Sequence, residues 1–174
     1  MKTIVFALII AHKGFQIDEY KNTKKALEDA GIVVHTVSTK LGEAEGTDGS
    51  KVAVDLKLDR LIAGEYEGIA FIGGSGALDD LDKDISYDII KNAIDENIIL
   101  GAICISSRIL VKTGALKNKK ATGWDGDDKL TNIFKENSVN YIKEDVVTDG
   151  NIITANGRAA STDFGKALAQ LAKK

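Results

Sequence analysis

Short apolar runs and longer amphipathic stretches take turns along the whole chain. Thr3 to Ile10 is nearly continuous in apolar residues, the pattern of a strand covered on both faces. Ala11 to Ile17 reads as a loop. Asp18 to Ala30 reads as a helix, with Asp18 as N-cap and Gly31 just past its end. Ile32 to Ser38 is a second strand. Leu41 to Asp55, rich in Gly, Glu and Asp, predicts a small hairpin at one edge, and Leu58 to Ile62 a helical turn. Further strands are predicted at Glu67 to Ile72 and Ile98 to Ile103, and a short strand and turn at Lys119 to Gly123. Helices are predicted at Ile85 to Glu96, Ser106 to Thr113, Asp127 to Glu136 and Ser161 to Lys174. Val139 to Val147 reads as β, and Asp149-Gly150 as a hairpin turn into Asn151 to Ala155. Strands alternating with helices predict βαβ units and a largely parallel sheet. No repeat or linker interrupts the pattern, so residues 1–174 read as a single domain.

Composition narrows the class. The chain has 174 residues, 44% hydrophobic and 28% charged, which suits one soluble globular domain. A net charge of -3 gives no basic footprint for nucleic acid. No apolar run is long enough for a membrane span. The apolar start resembles a secretion signal, but Ala11-His12-Lys13-Gly14 follows without a small-residue cleavage site, so a buried first strand is expected. One cysteine cannot form an internal disulfide, and no Cys/His cluster suggests a metal. The expected compartment is the cytoplasm. Proline is absent, although average usage of roughly 5% would give about eight.

Candidate chemistry concentrates where strands end. In Ala102-Ile103-Cys104-Ile105-Ser106 an apolar strand stops on a nucleophile-capable residue and a helix begins at once. Small residues two places to either side suit the strained turn of a nucleophile elbow. A helix N-terminus beneath the sulfur would favour a reactive thiolate. A buried, inert cysteine fits the same position. Gly73-Gly74-Ser75-Gly76 also follows a core strand, and its Gly74 N–H, with that of Ile105, has the placement of an oxyanion donor. A tight strand-to-helix turn is the plainer reading of that stretch. Glu19 reads as an exposed first-turn acid. His12 lies at the carboxyl edge of the first strand, and Trp124 and Asp125 lie in a loop expected at the same edge. All three are candidate substrate contacts, alongside plainer roles in packing and solvation.

Together these pieces resemble the DJ-one/PfpI superfamily, a branch of the class I glutamine amidotransferase-like fold. The resemblance is carried by Lys13-Gly14-Phe15, Glu19-Tyr20, Phe71 through Gly76, Gly101 through Cys104, Leu110 through Thr122 and Asp149 through Gly157. It implies a flavodoxin-like three-layer α/β/α sandwich with a mostly parallel central sheet. It implies that Cys104 is the elbow cysteine, that Glu19 hydrogen-bonds its sulfur, and that Gly74 and Ile105 supply oxyanion-type donors. It also implies a homodimer or larger assembly, a small reactive carbonyl as substrate and no cofactor. The expected activity is glyoxalase-III-like or deglycase-like.

Three departures leave other readings open. Peptidase-like members carry His directly after the cysteine, where this chain has Ile105. Members resembling the human protein place a His near Trp124. Positions where relatives often have proline read His12, Ser107 and Arg158. The alternatives are a redox-sensing or stress-protective protein acting through Cys104 oxidation, a cysteine peptidase, and an engineered proline-free variant with an idle site.

Overall fold

A computed structural model describes residues 2–174. Its strands are β1 (Val5–Ile9), β2 (Lys13–Phe15), β3 (Val33–Ser38), β4 (Gly42–Gly46), β5 (Lys51–Val54), β6 (Leu56–Lys57), β7 (Gly68–Phe71), β8 (Ile99–Ile103), β9 (Lys120–Ala121), β10 (Asn140–Tyr141), β11 (Val146–Asp149) and β12 (Ile152–Ala155). Its helices are α1 (Ile17–Asp29), α2 (Ala77–Leu81), α3 (Asp84–Asp95), α4 (Ser107–Lys112), α5 (Leu130–Glu136) and α6 (Ser161–Ala172).

Seven strands form the central sheet in the order β11-β12-β8-β7-β1-β3-β6. Every neighbouring pair is parallel except β11 with β12, the hairpin that Asp149-Gly150 predicts. Side chains of a strand alternate between faces, and the core divides accordingly. Ala7 and Ile9 of β1, Ile69 and Phe71 of β7 and Leu100 of β8 pack with α3, α4 and α5. Phe6, Leu8, Ala70, Ile99 and Ile103 pack on the other side with α1 and α6. This is the expected flavodoxin-like α/β/α sandwich. Both faces are covered, which explains the unbroken apolar runs of β1, β7 and β8.

Four local expectations change. The segment 11–17 is not all loop: Lys13–Phe15 pairs in parallel with β4, too short to show a periodicity. The 41–55 hairpin therefore belongs to a separate three-stranded sheet, β2-β4-β5, rather than to the edge of the main one. The N-cap of α1 is Gln16, whose side chain accepts the Glu19 N–H at 2.7 Å, not Asp18. Asp18 sits in the first turn, where its charge favours the helix dipole. The β segment 139–147 splits into β10 and β11, because Glu144 N–H turns back to the Ile142 carbonyl.

Candidate active site

β8 delivers its last residue to an elbow. Cys104 has φ +62°, in the left-handed region, and opens a three-residue 3-10 turn before α4. A non-glycine residue held there costs on the order of 1–3 kcal/mol, so its neighbours must over-determine it. Ser106 is buried and donates its hydroxyl to the Ile72 carbonyl at 2.7 Å, tying the turn to the end of β7. Trp124 N–H donates to the Cys104 carbonyl at 3.2 Å.

β7 and β8 pair with Phe71 opposite Ala102, so the glycine stretch after β7 lies beside the cysteine. A Cβ on Gly73 would lie 2.6 Å from the Cys104 Cβ and 2.7 Å from Glu19 Oε2, so only glycine fits there. Gly74 has φ +130°, a conformation side chains rarely adopt. Gln16 N–H donates to the Gly73 carbonyl at 2.8 Å, fixing the start of α1 against the same loop. That places Glu19, in the first turn of α1, beside the cysteine. Glu19 is 1% exposed, accepts the Gly73 N–H at 2.9 Å and hydrogen-bonds the Cys104 side chain. The backbone N–H groups of Gly74 and Ile105 lie on the side of the sulfur and favour its charged form.

The electrostatics correct one expectation. Burial, foremost, together with the charge and hydrogen bond of Glu19, pushes the Cys104 thiol up to about 12. The Ile105 and Gly74 N–H groups lower it, but less. Helix α4 has six residues, and the cysteine enters it through a 3-10 turn, so little dipole reaches the sulfur. Burial thus favours the thiol over the thiolate expected at the elbow. Burial also raises the Glu19 carboxyl to about 7, against the opposing pull of Cys104, Gly73 and Arg158.

Cys104 opens into a cavity of about 280 Å³ that Gly74, Ser75, Ile105 and Trp124 also line. Gln16 and Thr47 complete it. Trp124 thus reaches the site. His12 and Asp125 do not line this cavity. His12 lines a separate polar cleft of about 560 Å³ with Lys13, Lys40 and Asp79, joined to the first through Thr47 and Ser75. Asp125 accepts the Leu130 N–H at 2.7 Å and so holds the start of α5.

Two residues that the sequence reading did not single out hold the Trp124 loop. Arg108 is 9% exposed, forks onto Asp127 at 2.7 and 2.9 Å, and donates to the Trp124 carbonyl at 3.2 Å. Its guanidinium lies 5.6 Å from the centre of the Trp124 ring. The available signal was a lone charge at the head of the apolar run Arg108-Ile109-Leu110-Val111. Among the described residues no group of three His, Cys, Asp or Glu is placed to hold a metal ion, and no helix is long and apolar enough to cross a membrane.

A family model described as the DJ-1/PfpI family matches residues 5–171. An uncharacterised protein of Methanocaldococcus jannaschii is 31% identical over 166 residues, 95% of this chain and 80% of its own length. Deglycase PfpI of Pyrococcus furiosus is 28% identical over 130 residues, 74% of this chain and 76% of its own. The crystal structure of a ThiJ/PfpI domain protein from Brachyspira murdochii superposes with a TM-score of 0.92 at 29% identity, covering 99% of this chain and 98% of that one.

Proposed function

The chain belongs to the DJ-1/PfpI family, and from its paired Glu19 and Cys104 we propose a cysteine-dependent enzyme acting on small reactive carbonyls, in a glyoxalase-III-like or deglycase-like reaction. The observation that carries this reading is the buried Glu19 carboxyl, fixed by the Gly73 N–H beside the elbow cysteine, with burial pushing its pKa up. An ionised Glu19 is a base within reach of the thiol proton, and general-base activation makes a weak nucleophile competent.

The first step forms a bond from Cys104 Sγ to the aldehyde carbon while the thiol proton passes to Glu19. The carbonyl oxygen becomes an alkoxide, held by the Gly74 and Ile105 N–H groups. Glu19 then returns the proton to that oxygen and leaves a hemithioacetal. For a 2-oxoaldehyde, the same carboxyl moves the proton from the aldehyde carbon to the neighbouring carbon, while the hemithioacetal hydroxyl proton passes to the ketone oxygen. Water then cleaves the resulting thioester to a 2-hydroxy acid and restores the thiol. Oxidation of the same sulfur is the second reading, since Cys104 opens into a cavity that peroxide could enter. The test is methylglyoxal consumption by the wild type and Cys104→Ala. The wild type is expected to consume it at a rate the variant loses, and equal rates would overturn the reading.

A further inference from the structure

The cavity over Cys104 has walls that the carbonyl reaction does not use. At about 280 Å³ it falls just below the roughly 300–1,000 Å³ of drug-sized sites, so it suits a small molecule rather than a peptide. No charged side chain lines it, and the surface exposed by Trp124, Ile105 and the glycine backbone is almost wholly apolar. Gln16 reaches it, but its side-chain oxygen is taken by the Glu19 N–H at 2.7 Å. Trp124 is also fixed before anything binds. Arg108 holds its carbonyl at 3.2 Å and lies 5.6 Å from the ring centre. Gly126 packs closely against one side of the ring, since a Cβ there would lie 2.5 Å from it. A ring already ordered loses little freedom when a ligand packs on it.

Resting on the reading that Cys104 adds to an aldehyde, the geometry points to Trp124 and Ile105 as specificity-determining residues that select 2-oxoaldehydes bearing an apolar or aromatic substituent. With the aldehyde carbon at Sγ and its oxygen on the Gly74 and Ile105 N–H groups, the rest of the molecule occupies this cavity. A phenyl or branched alkyl group there leaves water and meets the Trp124 ring. A charged substituent would lose hydration with no charged partner in return. Its alternative lodging is the polar cleft of Lys13, Lys40 and Asp79, reached past Thr47 and Ser75.

The experiment has two arms. In the first, kcat/KM is measured for phenylglyoxal, methylglyoxal and 4,5-dioxopentanoate, a 2-oxoaldehyde carrying a carboxylate, with the Cys104→Ala rate subtracted to remove arginine modification. Phenylglyoxal is expected to exceed methylglyoxal by roughly tenfold, the gain for burying part of a ring. Trp124→Ala and Ile105→Ser should each bring that ratio towards one. The second arm needs no turnover. Trp124 is the sole tryptophan, so its emission reports the cavity directly in Cys104→Ala. Cyclohexyl methyl ketone should perturb it at roughly tenfold lower concentration than acetone. Equal potency of the two ketones would overturn the inference. So would Cys104-dependent turnover that favours 4,5-dioxopentanoate or shows no preference, while leaving the carbonyl chemistry standing. Preferential ketone binding without Cys104-dependent turnover would overturn the reaction and keep the apolar site.

Discussion

Glu19 is the residue on which both chemistry and stability turn. Its carboxyl, buried at the start of a helix, is pushed from 4.5 to about 7. A raised carboxyl means the folded state binds the proton more tightly than the unfolded chain. Its contribution is therefore complete below about pH 4.5 and declines as pH rises through about 7. Glutamine keeps the shape of the neutral acid and cannot ionise. Relative to the wild type, Glu19→Gln should gain roughly 2–3 kcal/mol in unfolding free energy between pH 5 and pH 8. Urea titrations at the two pH values measure this directly. A difference that stays constant with pH would mean Glu19 ionises at an ordinary value in the fold. The same substitution removes the base, so methylglyoxal consumption should fall about 100-fold or more, the usual scale for losing a general base.

At the scale of elements, α1 matters because of where it starts. Gln16 caps it through the Glu19 N–H and ties its own N–H to Gly73. One residue thus sets both the helix register and its distance from the glycine loop. Gln16→Ala should cost about 1 kcal/mol, typical of a lost N-cap. It should also lower carbonyl turnover, because Glu19 loses its fixed approach to the sulfur. Urea unfolding beside the activity assay separates the two effects. An unchanged unfolding midpoint would show that water replaces the cap at no cost. The sequence shows α1 plainly, since its apolar spacing is regular, but not its cap. Glutamine is a poor predictor of that position, and Asp18 beside it looks better. The elbow was legible because Ala102, Cys104 and Ser106 combine small size with an abrupt end to an apolar run. The Arg108–Asp127 clamp was not, because it joins residues 19 apart in sequence that only the folded α4 and its following loop bring together.

Across the whole molecule, the site straddles parts of unequal anchorage. Cys104, Gly73 and Gly74 follow β8 and β7, which lie inside the seven-stranded sheet with helices on both faces. Gln16 and Thr47 sit at the boundary with the small β2-β4-β5 sheet, where Ala44 is fully buried but β5 alternates between exposed and half-buried residues. The main sheet was legible from apolar runs, and the β4–β5 hairpin from its composition; the pairing of β4 with β2 was not, because a three-residue strand shows no periodicity. Scarcity of buried apolar area makes the small sheet cheap to open. Native-state hydrogen exchange should therefore divide the amides. Those of β1, β7 and β8 should exchange only with global unfolding. Those of β4 and β5 should exchange through a smaller opening, with a lower free energy and a weaker dependence on denaturant. If β4 and β5 instead follow the global transition, the small sheet is part of the rigid frame. The opening predicted here would lift Thr47 from the Cys104 cavity while leaving Glu19, Gly74 and the elbow in place. A site built this way can admit a substrate over one movable wall without disturbing the atoms that react with it.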